Sequence, residues 1–193
     1  MARIVIIKHG ETLWDGEGRI PGNLDIPLKA RGGKEFLEAQ VALKSLDIRT
    51  FHTGPSSACR ETAKILARLH RARVIEREDL AEVNLGLWQG LLETDVIHRY
   101  RTSYRQWRED PTRVAPPGGE TVEAARDRLV AAVEAIAGGR KAGTFGIVAG
   151  SVAWAILVAH FRKVSLSDIP GILKEDRLWE AFEISSSRTA KAS

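Results

Sequence analysis

The sequence predicts an α/β fold, a three-layer αβα sandwich with a mostly parallel central sheet and helices on both faces. Three observations predict it. Short β-branched runs alternate with longer segments of helical apolar spacing. The first of those runs is continuously apolar, as a strand covered on both faces is. The late segment "SVAWAILVAHF" is apolar all round, which suits a helix buried inside a fold.

The elements follow in order. "RIVII" at 3–7 is the first strand, and residues 31–46 place Phe36, Leu37, Val41, Leu43 and Leu46 in a helical rhythm. "IRTFHT" is a second strand, leading to a helix from Ser57 to Arg71 with Ala63, Ile65, Leu66 and Leu69 inward. "ARVIER" is a third strand. "PPGGE" is a breaker, and Glu120–Ala137 follows as a helix with Val122, Leu129, Val133 and Ile136 on one face. "GTFGIVAG" is a glycine-flanked strand that runs into the buried helix at 151–161. In open parallel sheets, ligands collect outside the C-terminal strand ends. Lys8-His9-Gly10, Thr53-Gly54-Pro55 and Ala149-Gly150-Ser151 should therefore converge on one place. Residues 91–117 have no partner in the alternation and are expected to form a small cap over it. The chain reads as one domain over 1–184 with a disordered polar tail at 185–193.

Composition bounds the function. A chain of 193 residues can bury a full core, and its hydrophobic fraction of 44% and charged fraction of 28% are those of a globular protein. No apolar run is long enough to cross a bilayer, and "MARIVIIKHG" has no signal-peptide pattern. Cys59 is the only cysteine, so no internal disulfide forms and a reducing cytoplasm is the expected compartment. The net charge of +4 is modest. Arg101, Arg105 and Arg108 recur at helical spacing, which favours a solvated helix face over a nucleic-acid groove.

Five motifs carry a resemblance. They are "KHGETLWD", "GRIPGNLDIPLKARG", "TGPSSACRETA", "LAEVNLGLWQGL" and "PPGGET", in that order along the chain. Together they resemble the histidine phosphatase superfamily, the phosphoglycerate-mutase-like proteins, from Arg3 to about Leu157. The resemblance implies a histidine that attacks phosphorus, two arginines and a second histidine that hold the phosphoryl oxygens, and a carboxylate that protonates the leaving group. Such a transfer needs little beyond an aimed nucleophile and dense positive charge.

Mapped onto this chain, His9 falls on the nucleophile and Glu82 on the proton donor. Lys8 replaces the first arginine, which keeps the charge and loses the planar two-pronged contact. Ala58 stands at the second arginine, and Arg60, roughly 200° further around a helix, is expected to point elsewhere. Gly150 or Ser151 stands at the second histidine, and Asp15 and Gly54 stand where asparagine and serine are usual. The expected ligand-binding set is Lys8, Gly10, Thr12, Asp15, Gly22, Gly150 and Ser151. His98, in the expected cap, could fold back over the pocket or stand as a surface histidine, and nothing in the sequence turns Arg31, Arg60 or Arg113 inward.

Other chemistry finds less support. No cysteine pair, His-x-x-x-His or calcium-type loop is present, so no metal or cofactor is expected. Ser151 lacks the Gly-x-Ser-x-Gly elbow of a hydrolase and reads as an N-cap of the late helix. Three functions follow from the degraded clamp. The first is a protein that binds a small, phosphorylated or otherwise anionic ligand, or a partner, with little or no phosphatase activity. The second is a phosphomonoesterase or mutase with a remodelled clamp, using His9 and Glu82. The third is an acid/base enzyme acting through the same pair on a non-phosphorylated substrate. A homodimer is compatible with the sequence, and neither membrane nor nucleic acid is an expected partner.

Overall fold

The computed structural model describes residues 2–139 and 143–184. The tail at 185–193 and the cations Arg140 and Lys141 lie outside the described residues, as does the side chain of Arg31.

Five strands form one sheet: β1 (Ala2–Lys8), β2 (Ile48–Thr53), β3 (Arg73–Glu76), β4 (Gly143–Ala149) and β5 (Trp179–Ile184). Their order is β3-β2-β4-β1-β5. The first four pair in parallel, and β5 lies antiparallel along β1. Side chains alternate across a strand, so β1 feeds two cores. Ile4 and Ile6 join the core under α5 (Val122–Gly138) and α6 (Ser151–Arg162). Val5 and Ile7 join the core under α1 (Gly33–Leu43) and α2 (Ser57–His70). These are the three layers that the alternation predicts.

Several local expectations need correction. The sequence reading assigns no strand beyond the late helix, yet β5 is there. Its side chains are only partly covered, so its apolar signal is weak. The helix expected over 31–46 is α1, preceded by a 3-10 turn at Ala30–Gly32. Phe36, Ala39 and Leu43 are its buried residues, while Leu37 and Val41, one turn apart on another face, are exposed. His70, at the last turn of α2, is half-buried with its ring 5.5 Å from that of Phe51.

Residues 91–117 form α3 (Glu93–Arg99), α4 (Arg101–Glu109) and a 3-10 turn at Pro111–Arg113. Val96 and Tyr104 pack on the fully buried Trp88, and Arg101, Arg105 and Arg108 face solvent. At the far end, Arg162 of α6 donates to both Glu175 and Glu180 and ties this helix to β5.

Gly146 in β4 is required by close approach. A Cβ there would lie 2.5 Å from the Phe51 ring, which crosses the strand. Gly146→Ala is expected to cost about 1–3 kcal/mol of unfolding free energy through overpacking, read by denaturant titration. Phe51→Leu in the same chain should recover part of the loss.

Candidate active site

The end of β1 is joined directly to the end of β4. The His9 backbone N–H donates to Ala149 O at 3.0 Å, so the opening motif and the late-strand junction touch. Gly10 N donates to Thr62 Oγ1 at 3.0 Å, and Thr62 is fully buried on α2. A Cβ at Gly10 would stand 2.8 Å from the Gly32 backbone, so only glycine fits this turn. Asp15 Oδ2 then accepts from Thr12 N at 2.5 Å and Thr12 Oγ1 at 2.6 Å, closing the loop on itself. Gly22 has φ +52°, and the Gln89 side chain fills the space its Cβ would need. Gln89 Oε1 accepts from Asn23 N at 2.8 Å and Leu85 N at 3.1 Å, which pins that loop.

Two small cavities, about 90 and about 30 Å³, meet at His9 and Ser151, which line both. Lys8, Gly10 and Asp15 line the larger, with Glu11 and Glu35. Thr12, Gly22, Glu82 and Gly150 line the smaller, with Ser56 and Ala58. Every residue of the predicted set therefore reaches one cavity or the other. Residues 91–117, expected as a cap, contribute no lining side chain among the described residues.

His9 is set up as a neutral base. Its Nδ1 lies 2.7 Å from Gly10 O; a carbonyl only accepts, so Nδ1 carries the hydrogen and Nε2 the lone pair. Burial holds its pKa below the ordinary imidazole value, against the opposing pull of the Gly10 hydrogen bond.

Glu82 holds a position that sequence reasoning missed. Its Oε2 accepts from Val152 N at 2.9 Å, and its Oε1 from Ala153 N at 2.8 Å and Val83 N at 2.6 Å. The carboxyl thus caps α6 from across the fold. Ser151, expected as the N-cap, is instead the first helical residue, and Gly150 at the cap position has no side chain to offer. A Cβ on Gly150 would lie 2.2 Å from Glu82 Oε2. The glycine and the carboxyl therefore share one space. Burial pushes the Glu82 pKa up to about 7, with the three N–H donors pulling the other way.

The other cations lie elsewhere. Arg60 donates to Pro55 O and Ser57 Oγ and lies 3.8 Å from Asp25, as its helical phase predicts. Arg113 bonds Asp110, and His98 is exposed on α3. Lys8 Nζ lies 5.7 Å over the ring centroid of the buried Trp154. Among the described residues, Lys8 is the single cationic side chain lining either cavity. No group of three His, Cys, Asp or Glu side chains among them is placed to hold a metal ion.

Residues 4–186 match the family described as Histidine phosphatase superfamily (branch 1). The chain belongs to the histidine phosphatase superfamily. It is 28% identical over 138 residues to Phosphoserine phosphatase 1 of Hydrogenobacter thermophilus, covering 70% of this chain and 64% of that protein. It is 30% identical over 138 residues to a probable phosphoglycerate mutase, GpmB, of Escherichia coli, covering 69% of this chain and 62% of that protein. The match thus spans just under two thirds of the length of these curated relatives. In three dimensions it resembles Bacillus stearothermophilus YhfR, with TM-score 0.81 and 25% identity over 88% of this chain and 84% of that one. A mycobacterial glucosyl-3-phosphoglycerate phosphatase gives TM-score 0.74 at 28% identity, covering 88% of this chain and 84% of that one. The α/β sheet flanked by helices is therefore the family's fold, and phosphatases are among its neighbours.

The Glu82 carboxyl has a thermodynamic signature. Its folded pKa of about 7 lies above the ordinary 4.5, so the folded state holds the proton more tightly than the unfolded state. Stability from this group is complete below about pH 4.5 and is lost as pH rises through about 7. The full loss is about 3 kcal/mol, lessened by water reaching the cavity. Glu82→Gln should flatten this part of the pH profile, as measured by denaturant unfolding of both proteins between pH 4.5 and 8. Protonation of His9 acts oppositely, lowering stability as pH falls below the imidazole range, and His9→Gln separates it.

Proposed function

We propose that this chain binds a small ligand in the superfamily's pocket and has lost most or all of the superfamily's phosphoryl transfer. The observation that carries this reading is the wall facing His9. Ala58 and Gly150, at the motif positions of the second arginine and second histidine, line the same cavity as His9 and Glu82. They offer a methyl group and a hydrogen where the reaction calls for cations. Removing one preorganised charge donor costs about 10²–10³ in rate, and such losses do not simply add.

Two further observations support it. Glu82 is bound to three backbone N–H groups, and handing a proton to a leaving group would require that cap to rearrange. Glu11, already paired with Lys29, and Asp15 and Glu35 share the larger cavity with Lys8, so among its described lining side chains a dianion meets more carboxylates than cations. The ligand that suits this wall carries at most one negative charge. Lys8 supplies its anchor, and Ser56, Thr12 and Ser151 supply neutral hydrogen-bonding groups.

A second reading is a phosphomonoesterase with a remodelled clamp. It is favoured by the neutral His9 ring with its Nε2 lone pair, and by a carboxyl titrating near neutrality. The phosphatase relatives favour it too.

A direct assay separates the readings. Purified protein is expected to release orthophosphate from p-nitrophenyl phosphate at a rate unchanged by His9→Ala, and to trap no phosphate on His9. Ala58→Arg, projecting from the cavity wall, should tighten orthovanadate binding by about tenfold or more. Steady orthophosphate release that disappears in His9→Ala overturns the first reading and establishes the second.

A further inference from the structure

A third cavity shares no lining residue with the two at His9. It is about 230 Å³ in volume. One wall is Tyr104 and Trp107 of α4 with Pro111 from the following turn. The other is Ile169, Pro170 and Leu173, from α7 (Ile169–Ile172) and the residue after it.

The walls are preformed. Trp107 and Tyr104 both stack edge-to-face on Trp88, with ring centroids 5.8 and 5.3 Å away, and Trp88 is fully buried. Three aromatic rings thus lock one another, and ordering them on binding costs little. The lining is mostly carbon, with Leu173 left 37% exposed at the edge. Such a space takes a flat apolar group.

The mouth has a sign. Arg108 and Lys174 are its two charged lining residues, both cationic and both exposed. Arg108 is already paired with Glu93, whereas Lys174 makes no ion pair among the described residues. An apolar, aromatic-walled cavity with an uncommitted ammonium at its rim selects an apolar body that ends in one negative charge.

We propose that this cavity, between α4 and α7, is a binding site for a small aromatic carboxylate. The ring lies between Trp107 and Pro170, and the carboxylate meets Lys174. The size argues for one ring and a short acid arm. The chemistry differs from that of the His9 cavities, where acids outnumber the single lysine and no aromatic ring forms a wall apart from Phe36. The site is independent of whether His9 turns over phosphate.

Phenylacetate, phenylacetamide and phenethylamine are the probes, titrated into the full chain and followed by protein NMR shifts and by thermal stabilisation. Phenylacetate is expected to saturate and to bind up to about fivefold more tightly than the neutral amide, the scale of one exposed charge pair. Phenethylamine should bind more weakly still. Lys174→Glu, a surface change that leaves the core intact, should reverse the order of acid and amine. Leu173→Ser should weaken all three, and His9→Ala should change nothing. Equal binding of acid and amide, indifference to Lys174→Glu, or loss of binding in His9→Ala would each overturn the site. So would a protein that is dimeric by sedimentation and protects this face from all three probes, since the occupant would then be a second copy.

Discussion

The carboxyl of Glu82, held on the first turn of α6, is the contact on which the rest of the site depends. A buried helix N-terminus presents N–H groups that must find acceptors, and α6 has no capping side chain of its own. Glu82 reaches across about seventy positions of sequence to supply two of them, and adds a bond to its own neighbour. This fixes the β4–α6 junction against the loop that follows β3. It also fixes what can stand at position 150. The absence of a side chain there makes room for the cap.

From that constraint the electrostatics of the pocket follow. A carboxyl titrating near neutrality occupies the ground beside Gly150. Ala58 leaves the adjoining wall apolar, and Lys8 is drawn over Trp154, a position that favours an ammonium by cation–π attraction. His9 remains a well-oriented neutral base, held through Gly10 by Thr62. Among the described residues, the smaller cavity it lines is lined by no lysine or arginine. Orientation without charge suits recognition better than it suits displacement at phosphorus.

Much of this was legible in the chain. Five ordered motifs carried the fold, and all nine expected site residues, from Lys8 to Ser151, line the two cavities. Those positions were readable because each lies at a strand end, and strand ends follow from the β-branched runs. The helical phase of Arg60 was readable for a similar reason. What was not legible depends on side-chain direction between distant segments. Nothing local marks Glu82 as the cap of a helix some seventy residues away, so Ser151 took that role in the sequence reading. Thr62 was present in the second motif, and a buried threonine facing a glycine turn was a signal that could have been used. β5 escaped because an edge strand with half-covered side chains lacks a strong pattern. The segment 91–117 stood out as an insertion, but its packing on Trp88 required the aromatic contacts to be seen.

The shared space between residues 82 and 150 also makes position 150 hard to substitute. Any residue larger than glycine at 150 must first evict a carboxyl from three amide donors, and an evicted carboxyl leaves a helix end bare. A side chain at that place is therefore uphill in stability unless the carboxyl moves first. The two positions are thus coupled: a side chain at one requires a compensating change at the other.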